Sequence, residues 1–234
     1  MATRNEVMSI PAPPFTSSWH PFSHADIIRS IHIGAEVNSL EITNERYDLT
    51  GGGAHMFASY DVKGTDLVPN PDAGYQIGFR NSIGKLTSVG ITCGTDVFVC
   101  SNMCFSGQYI TFRKHTSGLE LEELYSIAIS AINNIKPRLT EMMKWHESLR
   151  KIYLPPNQIK NLTYDAMDLG VFAPSKFRQF QKSFEEESEL HGRNLYAWHG
   201  AGTRTLRENS LSMVSNRTPI LNSIADEYLL REAA

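Results

Sequence analysis

Cysteine is scarce, with three in 234 residues. An odd, small number does not build a disulfide framework, and it points to a reducing cytoplasm. Long apolar runs are missing as well. No window approaches the roughly 18 apolar residues of a membrane span. The opening "MATRNEVMSIPAPPFTSSW" lacks the apolar stretch of roughly 7–15 residues that marks a signal peptide. Neither charge dominates. Lysine and arginine number 22 against 25 aspartates and glutamates, for a net charge of -3. No whole-chain attraction to nucleic acid or membrane follows, so any basic site is local.

Catalytic signatures are also absent. The chain has no G-x-x-x-x-G-K-S/T, no H-E-x-x-H and no G-x-S-x-G. No paired-carboxylate site stands out. Gly200-Ala201-Gly202 begins like a dinucleotide fingerprint, but Thr205 stands where the third glycine would be and no strong strand precedes it. A phosphate cradle needs both, so the glycines read as a helix break.

What is present suffices for a core, since 41% of residues are hydrophobic. Residues 1–22 are rich in proline and serine and read as irregular. Ser23 and Asp26 mark a capped helix with Ile27, Ile28, Ile31 and Ala35 on one face. Short segments follow: Leu40–Leu49, Met56–Val62, the alternating "GYQIGFRNS", Leu86–Cys93, Asp96–Cys100 and "QYITFRKH". Alternation makes these strands, with Gly51-Gly52-Gly53 as one turn and Gly94-Thr95 as a tight hairpin. In "GYQIGFRNS", Tyr75, Ile77 and Phe79 share one face and Gln76, Gly78 and Arg80 the other, as in a half-buried strand. Ser117 and Glu120 open a long helix over 117–149, which Pro137 should kink or split. Helical pieces follow at 158–169, 175–190, 194–209 and 219–230, the last started by Thr218-Pro219. The expected fold is α+β: an antiparallel sheet of about six strands with an N-terminal helix, a long helix after the sheet, and a helical C-terminal third. The expected division is an irregular segment 1–22, an α+β core 23–152 and a helical extension 153–234.

The stretch "VFVCSNMCFSG" raises thiol chemistry. Cys93, Cys100, Cys104 and His115 would make a zinc set only if two separate strands completed it, since the second cysteine pair is missing. A nucleophilic thiolate would need Arg113 or His115 beside it. The reading adopted is a buried strand Val97–Cys100, with Cys100 as filler and Ser101-Asn102 starting a turn. His20 and His24 read as a surface loop histidine and a first-turn histidine. No metal, no cofactor and no catalytic residue is assigned, and the balance is against an enzyme.

Basic residues beside aromatic rings carry the functional reading. Between Gly74 and His115 lie Arg80, Lys85, Arg113 and Lys114 against one acid, Asp96. A sheet exposing cations next to Phe79 or Phe112 suits single-stranded nucleic acid, with cations on phosphates and rings stacking bases. The assigned contacts are Arg80, Lys85, Phe112, Arg113 and Lys114. Lys136, Arg138, Lys144, Arg150, Lys151 and Lys160 form a second group against Glu141 and Glu147.

Arg80-Asn81-Ser82, Val99-Cys100-Ser101-Asn102, Lys114-His115-Thr116 and "HPFSHADII" together resemble the phage/plasmid-like family catalogued as domain of unknown function 932. The resemblance covers roughly 20–150 and implies a phage or mobile-element origin, with no settled activity. The element order is similar to the core of single-strand-annealing recombination proteins, which assemble into rings or filaments; this is likeness of fold alone. The expected function is therefore a phage or mobile-element nucleic-acid-binding protein of the bacterial host cytoplasm, in its fullest form an oligomeric annealing factor. Its partners would be single-stranded nucleic acid and copies of itself, with no membrane. The alternative is a non-catalytic phage interaction or assembly protein acting on a host or phage protein.

Overall fold

A computed structural model describes residues 2–64, 73–84, 88–97, 102–105, 111–113, 120–206 and 209–232. The segment 1–22 is not wholly irregular. Thr3 and Glu6 close a capping box on α1, Arg4–Met8. Val7 of this helix is fully buried, and Ala2 bridges Tyr47. One buried valine fixes a helix too short to show a period. Ser23 and Asp26 form the expected box on α2, His24–Val37, whose Ile27, Ile28 and Ile31 face the core.

Four long antiparallel strands follow in spatial order: β1, Leu40–Thr50; β2, His55–Gly64; β3, Ala73–Ser82; and β4, Val89–Val97. Two short ones, β5, Asn102–Phe105, and β6, Thr111–Arg113, both pair with β4. The class is thus α+β with an antiparallel sheet, and where about six strands were expected the sheet has four long ones and two fragments. Gly94-Thr95 makes no hairpin. It runs through the middle of β4, paired with Gln76 and Tyr75 on one side and with Phe105 and Cys104 on the other. Ladder bonds to both neighbours hold a Gly-Thr step extended, which overrides its local turn preference. Asn102 likewise starts β5 opposite Val97. Residues 98–101, which include Cys100, lie outside the described residues.

Between β1 and β2, Gly51, Gly52 and Gly53 have φ of 60°, 65° and 93°. That left-handed run is accessible to glycine at little cost and to almost nothing else.

The expected long helix is divided into α3, Leu121–Asn133, and α4, Ile135–Lys151. Pro137 is the cause. It cannot donate to the carbonyl four residues back, and its ring crowds that turn. The first of the two begins at Leu121, later than a Ser117–Glu120 box would place it, and Glu120 caps it without a side-chain bond. Four more helices follow: α5, Pro156–Asp168; α6, Phe177–His191; α7, Leu195–Leu206; and α8, Leu211–Glu232. Thr218-Pro219 does not start the last of them. Pro219 lies inside it, and the Thr218 hydroxyl donates to the Val214 carbonyl at 2.8 Å, tying the two turns together. Gly200 and Gly202 do not break α7.

Two apolar cores result. The first fills the space between one sheet face and α2 and α3, with Tyr60, Ile77, Phe79 and Ile132 among its members. The second lies among the helices from Leu149 onward, around Trp198, Phe180 and Leu221. α4 contributes Met142 to the first and Leu149 to the second, and Phe57 of β2 packs on the second. No helix among the described residues is long and apolar enough to cross a membrane.

Candidate nucleic-acid interface

The sheet does not offer an open platform. Tyr75, Ile77 and Phe79 share a face as the alternation requires, but Gln76 on the other face is also fully buried. α8 packs across β1 and β2, and α4 meets β4. β3 is therefore covered on both faces, not half-buried. Phe79 is 1% exposed and sits edge-on to Tyr60 at 4.9 Å between centroids, so it is closed to a base.

Among the assigned contacts, Arg80 is half-buried on the covered face. Phe112 and Arg113 fall on β6, opposite Gly90 and Val89. Because Arg80 also pairs with Gly90, the backbones of Arg80, Gly90 and Phe112 form one cross-strand row. Lys85 and Lys114 lie outside the described residues. Cys93 and Cys104 sit on β4 and β5, while Cys100 and His115 lie outside. Among the described residues no group of three or more His, Cys, Asp or Glu could hold a metal ion.

The covered face is a polar network. The Asp61 carboxylate accepts from Arg46 Nη2 at 2.5 Å, Gln76 Nε2 at 2.6 Å and Asn44 Nδ2 at 2.9 Å. Here the Arg46 guanidinium is already matched by the Asp61 carboxylate.

A second polar node joins three stretches distant in sequence. His24 is the expected first-turn residue of α2, and it is fully buried. Asn81 Nδ2 donates to the Phe22 carbonyl at 3.1 Å and to His24 Nδ1 at 3.0 Å. With Nδ1 accepting, Nε2 carries the proton and donates to the Gly53 carbonyl at 2.8 Å. Burial holds the imidazole below its ordinary pKa, against the pull of that carbonyl. Arg80-Asn81-Ser82 is thus the end of β3, and its asparagine ties the start of α2 to the glycine turn. No atom of this node reaches solvent to do chemistry.

An accessible cluster lies at the far end of α4. Arg150 and Lys151 close that helix and are exposed. The chain then extends, and Tyr153 bridges Asn194. Leu154 N–H donates to the Arg193 carbonyl at 3.1 Å and Leu195 N–H to the Ile152 carbonyl at 2.9 Å. These bonds join the segment of Arg193, whose guanidinium lies 6.0 Å from the Phe184 ring centre, to that of Tyr153, a residue 66% exposed. Arg193 and Lys160 share a small groove of about 150 Å³ with Glu185 and Phe184. The Arg150 guanidinium lies over the Tyr196 ring at 4.3 Å, a cation–π contact that fixes it at the surface. Beneath, Tyr196 meets His146 and His191 edge-on. His146 is lowered to about 3 by burial, with His199 and Arg150 adding to the effect. His199, bonded to Asn222 Oδ1 at 2.7 Å, is lowered to about 4 by burial. Both rings stay neutral at neutral pH and serve as packing. Lys151 and Lys160 belong to the second basic group read from the sequence. Tyr153 and Arg193 were missed there, because their partnership is made by pairing across forty residues.

No protein-family model, curated protein or solved structure matches this chain.

Proposed function

We propose that this chain is a non-enzymatic nucleic-acid-binding protein of a phage or mobile element, and that it grips single strands at the helical end of the molecule. One observation carries the reading: an exposed tyrosine, Tyr153, on a short extended segment that follows the exposed Arg150 and Lys151 and is tied by backbone hydrogen bonds to the segment carrying the exposed Arg193, which shares a groove with Lys160. Cations that track phosphates beside a ring that stacks a base are what a sequence-tolerant single-strand site requires. The phage origin rests on the motif resemblance alone.

The test is fluorescence anisotropy with a labelled single-stranded oligonucleotide. Binding is expected at about 50 mM salt and should weaken at least tenfold by about 200 mM. Tyr153→Ala should weaken it roughly 5- to 100-fold, the value of one stacked base. Lys151→Glu with Arg193→Glu should abolish it. Absence of binding at low salt overturns the reading. Arg80, Lys85, Phe112, Arg113 and Lys114, the contacts read from the sequence, are the rival set. If Arg113→Glu abolishes binding while the Lys151/Arg193 pair of changes does not, the interface belongs there.

A further inference from the structure

We infer that the groove between α5 and α8 is the docking site for the basic end of a second copy of this chain, so that copies join head to tail. The groove has a volume of about 320 Å³ and an apolar floor of Leu162, Leu169, Ile220, Ile224 and Tyr228. Its rim carries Asp165, Asp168 and Glu227, with Arg231 as the one cation. Glu227 pairs with Arg231 at 3.5 Å. The carboxylates of Asp165 and Asp168 have no hydrogen bond or ion pair among the described residues. Leu169 of the groove is 55% exposed, and on the same two helices Tyr164 is 64% and Leu230 71% exposed. An apolar floor with unmatched acids at its rim fits an occupant that presents a ring or aliphatic group flanked by cations.

This chain carries such an occupant. Tyr153 supplies an exposed ring two residues after the exposed Lys151, backbone bonds tie its segment to that of Arg193, and Arg193 shares a groove with Lys160 and Glu185. The two surfaces cannot meet within one molecule. They lie on opposite flanks of α5, the basic groove toward α6 and the acidic groove toward α8. Since the contacting surfaces differ, the contact is heterologous. Repeated, it closes into a ring or extends as a filament, and it leaves one basic end uncovered on each open chain. The inference employs the same cations as the proposed nucleic-acid site, so strand binding and assembly compete for them.

Light scattering after size exclusion, on the full chain, separates the possibilities. At about 50 mM salt the wild-type mass should rise with protein concentration, and at about 500 mM it should fall to that of a monomer. Asp165→Lys with Asp168→Lys should give a monomer. Lys151→Glu with Arg193→Glu should also give a monomer. All four positions are exposed, and circular dichroism checks that each variant keeps its helix content. Mixed in equal amounts, the two variants should form a dimer and nothing larger, because each retains one working surface. The inference is overturned by a wild type that stays monomeric at low salt, by a groove variant that still assembles, or by a mixture that stays monomeric. The groove variant should keep full oligonucleotide binding. Loss of assembly and loss of strand binding are therefore read from different proteins, and either reading can fail alone.

Discussion

Asn81 shows how much one side chain can hold. Its amide serves a helix start and an imidazole, and that imidazole serves a turn. Asn81→Ala would leave the Phe22 carbonyl and His24 Nδ1 buried without a donor, while keeping the strand's backbone bonds. Stability should drop by about 1–3 kcal/mol per orphaned group, read from a shifted urea midpoint at unchanged slope. A change within about 0.5 kcal/mol would mean that the node is not closed. The sequence shows Asn81 as one polar residue after an alternating run, which suggests a turn. Its partners lie 57 and 59 residues away, and no local rule reports a bond of that span.

Among the elements, the helices were the most legible. Six turns of apolar spacing before and after Pro137 leave little freedom, and the division falls where the proline's missing donor demands it. Turn signals fared worse. Gly94-Thr95 and Thr218-Pro219 both carry local turn chemistry, and both are overridden by neighbours, a strand on each side in one case and a hydroxyl bonded to the preceding helical turn in the other. The glycines of α7 are explained by packing. A Cβ on Gly202 would stand 2.8 Å from Leu221 of α8, and one on Gly200 would stand 3.0 Å from the Glu187 carboxylate of α6. In an isolated helix Gly202→Ala would stabilise by about 1 kcal/mol. Here it should destabilise by about 1–3 kcal/mol through overpacking. Adding Leu221→Ala should cost less than the two single changes summed, and a thermal double-mutant cycle reads that difference. Simple additivity would place the strain elsewhere.

At the scale of the whole molecule, the sheet is a shared wall with an apolar side and a polar side, each covered by helices. Alternation along β3 correctly separated the two faces. It could not show that the polar face is roofed, because the roof comes from helices more than a hundred residues later. Of the cations expected on open sheet, Arg80 is half-buried on the roofed face and Arg113 falls on β6, while Lys85 and Lys114 lie outside the described residues; Arg150, Lys151 and Lys160 of the second group are exposed. Acid should act on the helical part. His146 and His199 are both buried there with pKa lowered to about 3 and about 4. In the unfolded chain each takes a proton near pH 6.5, and in the folded chain neither does until the pH is far lower. Their contribution is therefore complete above about pH 6.5 and is lost as pH falls toward 4. At pH 5 each should cost ~2 kcal/mol, lowering the melting temperature followed by Trp145 and Trp198 fluorescence. Replacing both histidines by glutamine should flatten that slope between pH 6.5 and 5. A slope unchanged by the replacements would assign the acid sensitivity to other groups.

The backbone bonds between 152–154 and 193–195 close a long loop. They pin together the two ends of an excursion that contains α5 and α6. Closing a path of that length is entropically costly until something else has drawn its ends close. Packing of the two helices against their neighbours draws those ends together and lowers the cost of knitting the seam at Tyr153. A change that loosens α5 or α6 should therefore loosen the seam that carries Tyr153 as well, without touching any residue of it.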